Sequence, residues 1–213
     1  MKLTHIVECA GGVERYLEML APRLQKKNFE QAIICSHSVN LDKLKESADG
    51  FYVTDMRQTF NPIAVLKIIR QVRKAIKVSK PDIAYCHSSF AGVFGRIAAI
   101  GTHCKVVYNP HGWAFNMRNT SSMKLRVFRT LEQLLAHFTD KIVCISEAEF
   151  ESAIDNHISS EDKLELIPNG IDIEAVRSSM GVSRSHLGIA DDAFVVGMIG
   201  RLSAQKAPDV FIR

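Results

Sequence analysis

Residues 141–149 read KIVCISEAE. The first five are almost continuously apolar, which is typical of a parallel strand that is covered on both faces. Ser146 follows, and Glu149 stands three residues later, which is the spacing of a capping box at the start of a helix. The stretch therefore predicts a buried parallel strand that leads directly into a helix.

The same order of strand and helix repeats along the chain. Asn61 and Pro62 predict another helix start, and that helix carries a predicted apolar stripe at Ile63, Leu66, Ile69, Val72 and Ile76. Apolar runs of strand length occupy Leu3–Val7, Gln31–Cys35, Phe51–Val53, Ile83–His87, Val106–Asn109, Ile142–Ile145 and Leu164–Ile167. This alternation predicts an α/β fold with a doubly wound, Rossmann-like parallel sheet, in which ligands bind beyond the carboxyl ends of the strands.

One more apolar run stands near the end of the sequence. Residues 194–202 read FVVGMIGRL and predict a strand that opens a second α/β domain. We expect residues 1–170 to form an N-terminal Rossmann-like domain, 171–192 an interdomain linker, and 193–213 the beginning of a truncated C-terminal domain. The chain is thus expected to be a fragment of a two-domain enzyme. Its tail from about Gly181 is expected to be disordered, folded back on the first domain or paired with another copy.

The composition limits the class of protein. The chain is 46% hydrophobic and 23% charged, and it lacks an apolar run near the ~18 residues of a membrane span, so we expect a globular, cytoplasmic protein. Its five cysteines form no Cys-x-x-Cys pair, which argues against a zinc site or a disulfide framework and predicts small buried thiols. The net charge of 27 − 23 = +4 is too mild to indicate a nucleic-acid partner.

Candidate site residues follow the predicted strands. Gly11 and Gly12 stand after the first strand, where bare backbone N–H groups can bind a phosphate or a sugar hydroxyl, or where the turn itself needs glycine. The pattern is not Gly-x-Gly-x-x-Gly, which argues against a nicotinamide cofactor. His111 follows the fifth strand between Pro110 and Gly112, and it is either a catalytic group or a structural histidine.

Five short motifs in a fixed order indicate a family. They are GGVER at 11–15, PHGW at 110–113, ISE at 145–147, IPNGID at 167–172, and GRL at 200–202 followed by Lys206. In this order they resemble the nucleotide-sugar glycosyltransferases of family 4, which have the two-domain GT-B fold. Within that family the resemblance is to bacterial enzymes that extend capsular or extracellular polysaccharides and related glycolipids.

The resemblance implies a retaining glycosyltransferase that moves a sugar from a nucleotide-sugar donor to a saccharide or lipid-linked acceptor. It implies that His111 hydrogen-bonds the transferred sugar or the acceptor hydroxyl at the reaction centre, and that residues 1–170 are the acceptor-side domain. It also implies that residues 193–213 begin the donor-binding domain. The implied substrate-binding residues are Gly11, Gly12, Glu14, Ser88, Asn109, Asn169, Arg201 and Lys206.

The resemblance also bears on cofactors and on activity. No Asp-x-Asp motif is present to hold a divalent cation, so Arg201 and Lys206 are expected to neutralise the donor diphosphate, with no essential metal or other cofactor. Ala207 follows Lys206 where the family usually has glycine, and the family's paired-glutamate motif is absent. The isolated chain is therefore expected to be inactive. Two alternatives remain, a nucleotide-sugar epimerase of the same architecture and a non-catalytic carbohydrate-binding domain.

Basic residues crowd two predicted helices. Either they form ordinary solvated faces, or they contact anionic lipid head groups at the inner face of the plasma membrane. The second interpretation would suit a lipid-linked acceptor. The residues are Lys67, Arg70, Arg73, Lys74, Lys77 and Lys80 on one helix, and Lys124, Arg126 and Arg129 on the other.

Overall fold

The computed structural model describes residues 1–8, 11–40, 42–118, 120–179, 181–200, 202 and 206–213. The chain divides into two compact units. The first consists of Met1–Met117 and Ser121–Gly170, and the second of Arg118–Thr120 and Ile171–Arg213. Every strand found in the described residues belongs to the first unit.

The first unit contains a seven-stranded parallel sheet. Its strands are Lys2–Val7 (β1), Glu30–Ser36 (β2), Gly50–Thr54 (β3), Ile83–His87 (β4), Lys105–Asn109 (β5), Lys141–Cys144 (β6) and Leu164–Leu166 (β7). Their spatial order is β3-β2-β1-β4-β5-β6-β7, so the predicted doubly wound parallel sheet is confirmed. The order reverses between β1 and β4, and such a switch point opens a crevice at the carboxyl ends of the two strands.

Helices separate these strands except β2 and β3, and the starts of two of the helices follow the predicted caps. They are Gly12–Gln25 (α1), Pro62–Ser79 (α2), Ser89–Ala99 (α3), Ser122–Ala136 (α4) and Glu147–Asp155 (α5). Asn61 Oδ1 accepts the first free N–H groups of α2, and Ser146 Oγ accepts the N–H of Glu149 at 3.2 Å. The predicted capping box is only half right, because the Glu149 carboxylate accepts the N–H of Ile145 instead of that of Ser146.

The predicted apolar stripe on α2 is wrong in its first two turns. Ile63 is 80% exposed and Leu66 is also exposed, whereas Ile68 and Val72 are buried. A helix turns about 100° per residue. The nine steps from Ile63 to Val72 therefore turn about 900°, which is two and a half turns, and these two side chains lie on opposite faces. The face that α2 buries runs through Ile68, Val72, Ala75, Ile76 and Ser79.

Helix α3 packs very closely on the sheet. A Cβ atom added to Gly92 would overlap the Tyr108 ring of β5, and one added to Gly95 would overlap Cys86 Sγ of β4. Only a residue without a side chain allows this approach.

Replacing Gly92 by alanine should therefore destabilise the protein by about 1–3 kcal/mol, the usual cost of overpacking a well-packed core. Urea unfolding monitored by circular dichroism measures the change. Gly12→Ala is the matched control, because a Cβ there meets no atom of the described residues within 4 Å, and it should leave stability almost unchanged. An alanine at Gly92 that costs no more than the control would contradict the close packing.

A buried ion pair connects two helices to the sheet. Arg96 of α3 is fully buried, and its Nη2 lies 2.7 Å from Glu132 Oε2 of α4. The Tyr108 hydroxyl of β5 donates to Glu132 Oε1 at 2.9 Å, and the Arg96 guanidinium carbon lies 3.8 Å from the centre of the Tyr108 ring. The pair is thus held by three elements at once.

The described residues of the second unit form two short α-helices, Ile173–Ser178 (α6) and Pro208–Ile212 (α7), and one 3₁₀ turn at Ser185–Leu187. The strand predicted at 194–202 does not form in its described part, because residues 193–199 have no regular secondary structure. The side chains of Phe194, Val196 and Ile199 are exposed. A strand needs a neighbouring strand for its backbone hydrogen bonds, and the described residues of this unit provide none.

Two expectations drawn from composition concern thiols and membranes. The four described cysteines are free; Cys35, Cys86 and Cys144 are buried and Cys104 is partly exposed, while Cys9 lies outside the described residues. None of the helices in the described ranges has both the length and the apolar character needed to cross a bilayer.

Candidate functional site

Three strands bring their ends together at the switch point. The strand registers pair Val7 of β1 with His87 of β4, and His87 with Asn109 of β5, so these residues form one row across the sheet. The backbone N–H of Ser88 donates to the Asn109 carbonyl at 2.9 Å, which joins the two chain segments just beyond that row. The residues that follow these strands in sequence therefore emerge at one edge of the sheet.

His111 stands two residues beyond this row in a rare backbone conformation. Its φ is 50°, in the left-handed region that residues other than glycine seldom adopt. The Asn109 side chain supports the turn, because its Oδ1 accepts the His111 N–H at 2.9 Å. Such outliers persist where the surroundings hold them, and they cluster at functional sites.

The chain beyond His111 is fastened to α5. Trp113 is buried, and its indole N–H donates to the Glu149 carbonyl at 2.9 Å. The Glu149 carboxylate accepts the backbone N–H groups of Ile145 and Gly112. Burial raises the pKa of Glu149 even though these two hydrogen bonds act in the opposite direction. The residues on both sides of His111 are thus held by side-chain contacts.

The His111 imidazole belongs to a chain of hydrogen-bonded rings. His111 Nε2 lies 3.1 Å from His87 Nδ1, and His87 Nε2 lies 3.1 Å from His5 Nδ1. His5 Nε2 lies 3.2 Å from Oε1 of the buried Gln31. This series of hydrogen-bonded side chains runs from β2 through β1 and β4 to the turn after β5.

Burial keeps these imidazoles neutral. It lowers the pKa of His5 to about 4 and that of His111 to about 4. Burial, together with the neighbouring His5 and His111, also lowers the pKa of His87 well below its ordinary value. At neutral pH each ring therefore has one N–H group and one lone pair.

Two tyrosines enclose the rings. Tyr16 of α1 packs edge-on against His111 with ring centroids 4.8 Å apart, and its hydroxyl lies 3.0 Å from that of Tyr85 on β4. The Tyr85 ring contacts His87 at 4.1 Å between centroids, and burial raises the pKa of Tyr85 above its ordinary value. Tyr16 thereby brings α1, and the glycine turn before it, to the same edge as His111.

The glycine turn is structured by Glu14. The Glu14 carboxylate accepts the N–H of Gly11 at 3.2 Å and the N–H of Asn40 at 2.9 Å, so it joins two loops. Gly11 has a φ of 101°, which gives it a geometric reason to be glycine. Gly12 begins α1, and the space beside its Cα is open among the described residues.

The other predicted site residues are distributed unevenly. Ser88 lies beside the row of strand ends with a φ of 67°, and its buried Oγ has no hydrogen-bond partner among the described residues. Asn169 is exposed in the segment after β7. Lys206 is exposed in the second unit, and Arg201 lies outside the described residues. The structure thus brings together Gly11, Gly12, Glu14, Ser88, Asn109 and His111 at one edge of the first unit.

The residues that support His111 are not among the predicted site residues; they are His5, His87, Gln31, Tyr16 and Tyr85. A signal was present, because His5 interrupts an otherwise apolar strand and a buried polar side chain needs a partner. Its partner lies 26 residues away in sequence, so the pairing required the strand register. Within the described ranges, no group of three or more His, Cys, Asp or Glu side chains is placed to hold a metal ion.

Comparison with known proteins gives consistent results. The model of Glycosyltransferase Family 4 matches residues 10–175. An Escherichia coli UDP-Gal:α-D-GlcNAc-diphosphoundecaprenol α-1,3-galactosyltransferase is 32% identical over 99% of this chain and 56% of its own length. The chain thus spans little more than half of that relative.

Solved structures resemble the fold. HepE of Anabaena in complex with UDP superposes with a TM-score of 0.72 at 22% identity, over 100% of this chain and 56% of that one. The UDP-GlcNAc 2-epimerase of Methanocaldococcus jannaschii gives a TM-score of 0.57 at 17% identity, over 78% of this chain and 45% of that one. At these identities the likeness concerns the fold alone.

Proposed function

The chain belongs to glycosyltransferase family 4, and on that premise we propose that the enzyme containing it transfers a sugar from a nucleotide-sugar donor to a saccharide or lipid-linked acceptor. One observation carries the proposal most directly. His111 is held in a rare backbone conformation just after β5, at the carboxyl-end edge of the sheet beside the switch point between β1 and β4, inside the region that matches the family. Ligands of such sheets bind at that point.

The proposed roles follow the geometry of the first unit. His111 hydrogen-bonds the transferred sugar or the acceptor hydroxyl, and Gly11 and Gly12 offer backbone N–H groups at the same edge. Ser88 contributes a hydroxyl whose buried oxygen has no partner among the described residues, and such atoms are rare in proteins unless a ligand or water completes them. Asn109 supports the turn of His111, and Glu14 positions the glycine turn.

The finer points of the reaction are also proposals. Transfer proceeds with retention at the anomeric carbon. Arg201 and Lys206 neutralise the donor diphosphate without an essential metal, and Asn169 contributes a polar group after β7. The portion of the relatives' length that this chain does not span is required for turnover, so the 213-residue chain alone is inactive.

The transfer assay uses a protein that joins this sequence to the remaining length that its relatives possess. UDP-galactose and a lipid diphosphate carrying α-D-GlcNAc are the first substrates to be tested, because the E. coli relative is named for this pair of substrates. Mass spectrometry should detect a product heavier by one hexose, and EDTA should not abolish it. Epimerised UDP-sugar without transfer would support the epimerase alternative. Saccharide binding without any reaction would support the non-catalytic alternative.

We also propose that the first unit contacts anionic lipid. Phe60, Ile63 and Met123 are exposed, and the Lys124 ammonium lies 5.7 Å from the centre of the Phe60 ring, which brings the starts of α2 and α4 together. Both helices begin after strands whose carboxyl ends lie at the edge of His111. Not all of the basic residues are free to contact lipid. Arg73 donates to the carbonyl of Ala98 in α3 and to that of Ile100 just after it, and Lys67 pairs with Asp55 at 2.8 Å.

The chain should therefore co-sediment with phosphatidylglycerol vesicles and be released as salt screens the attraction. Replacing both Ile63 and Met123 by glutamate should weaken binding about 100-fold or more, because each buried apolar side chain contributes about 1.5 kcal/mol or more and about 1.4 kcal/mol corresponds to a factor of ten. Val78→Glu is the matched control, an exposed apolar position at the far end of α2, and it should bind normally. Equal binding to neutral vesicles, or binding to neither kind, would favour an ordinary solvated surface.

A further inference from the structure

The orientation of the Gln31 side chain is fixed by its surroundings. Gln31 Nε2 lies 2.8 Å from the Ala21 carbonyl oxygen and 2.9 Å from that of Ser47. Carbonyl oxygens only accept hydrogen bonds, so the amide nitrogen must face them and both of its hydrogens are used. The remaining atom, Oε1, is the one that faces His5 Nε2.

This acceptor determines the hydrogen positions of the whole chain of rings. Oε1 can only accept, so His5 Nε2 must carry its hydrogen, and in a neutral ring His5 Nδ1 is then a lone pair. His87 Nε2 must donate to that lone pair, which leaves His87 Nδ1 as the next acceptor. His111 Nε2 must donate in turn, so the lone pair of His111 is on Nδ1.

We propose that Gln31, His5 and His87 form a positioning relay that holds His111 in the Nε2–H form, so that its Nδ1 accepts a hydrogen bond from a substrate hydroxyl. No hydrogen bond to His111 Nδ1 is formed within the described residues. The inference rests on the proposed function for the identity of the hydroxyl as that of a sugar. According to this proposal, the His111 imidazole only accepts a hydrogen bond from the substrate. It does not donate one to a substrate oxygen, because its single N–H group is directed at His87.

The relay positions His111 and does not carry protons away from it. A proton passed inward from His111 would reach Gln31, whose amide is not basic and whose two N–H groups are already donated to carbonyls. Migration of a proton along the rings would leave a charge in a fully buried site, which is costly without a partner of opposite charge. The three relay residues therefore act through the orientation and the tautomer of His111.

Nitrogen-15 NMR of the 213-residue chain with labelled histidine tests the assignment at pH 7, because protonated and lone-pair ring nitrogens have well-separated shifts. The His111 signals are identified by their loss in His111→Gln. The expected result is a single Nε2–H form for His5, His87 and His111. If the unaltered chain shows the Nδ1–H form of His111, or a mixture of both forms, the proposal is overturned. No substitution in the relay is needed for this test.

A variant of Gln31 tests whether this residue determines the tautomer of His111. Gln31→Met removes the acceptor that faces His5, so His111 should become a mixture of both tautomers. Gln133→Met is the matched control, because Gln133 is an amide that donates to the Asn156 carbonyl away from the relay. Unchanged His111 signals in a folded Gln31→Met chain would also contradict the relay.

An activity measurement links the tautomer to turnover. In the active enzyme, Gln31→Met should lower kcat in proportion to the fraction of His111 that has lost its Nε2 hydrogen, with KM for the donor unchanged. If Gln31 only stabilised the fold, the loss in kcat would not follow the fraction of His111 in the wrong tautomer. If the NMR result is as expected but the unaltered enzyme transfers no sugar, the proposed function fails while the tautomer assignment stands.

Discussion

Replacing His111 by alanine should lower kcat about 100-fold or more in an active enzyme that carries this chain, the loss typical of one preorganised hydrogen-bonding group in a transition state. The expectation follows from the geometry at the end of β5. The imidazole is held by His87 on one side and by the edge of the Tyr16 ring on another, so it does not have to be ordered during the reaction.

Stability must be measured on the same preparation. The substitution leaves His87 Nδ1 without its partner, and an unsatisfied buried polar atom costs about 1–3 kcal/mol. A modest fall in melting temperature is therefore expected, and turnover has to be expressed per folded molecule. His103→Ala, an exposed histidine in the turn before β5, is the control and should change neither quantity. A destabilised variant that keeps full turnover would remove His111 from the site.

The fold could be predicted because its determinants are local. Each strand was visible as an apolar run, and the capping side chains of Asn61 and Ser146 lie within three residues of the N–H groups that they bind. The strand predicted at 194–202 failed for the opposite reason. Its apolar residues allow a strand, but a strand also requires hydrogen bonds to a neighbour that the described part of the second unit does not supply.

The candidate site could be predicted only in its outline. His111 was identifiable from its position after a strand, between proline and glycine. The ring chain behind it joins residues 82 and 26 positions apart in sequence, and it exists only because β1 lies between β2 and β4. No local sequence pattern shows which strands are neighbours in the sheet. Gln31 therefore could not be connected to His111 before the strand order was known.

Replacing Glu132 by methionine should destabilise the protein by about 3–5 kcal/mol, because it leaves the buried guanidinium of Arg96 without a counter-charge. Burial by itself would lower the pKa of Arg96, but the neighbouring Glu132 outweighs this effect and the pKa is raised. Arg96 cannot reach solvent, since its side chain is fully buried. With a shift of about 2–4 °C per kcal/mol for a chain of this size, the melting temperature should fall by roughly 6–20 °C.

The double variant distinguishes a costly unpaired charge from a generally intolerant site. Arg96→Met combined with Glu132→Met removes both charges, and such apolar replacement of a buried pair is often neutral or even stabilising, so most of the lost stability should return. Asp42→Ala is the surface control: its pair with Lys45 is exposed, and its loss should leave stability almost unchanged. Thermal and urea unfolding of the unaltered chain, the Arg96→Met and Glu132→Met single variants and the double variant measures the coupling between the two charges. Additive losses in the double variant would show that each residue stabilises the fold through its own packing, and the ion pair between α3 and α4 would then not be the cause of the effect.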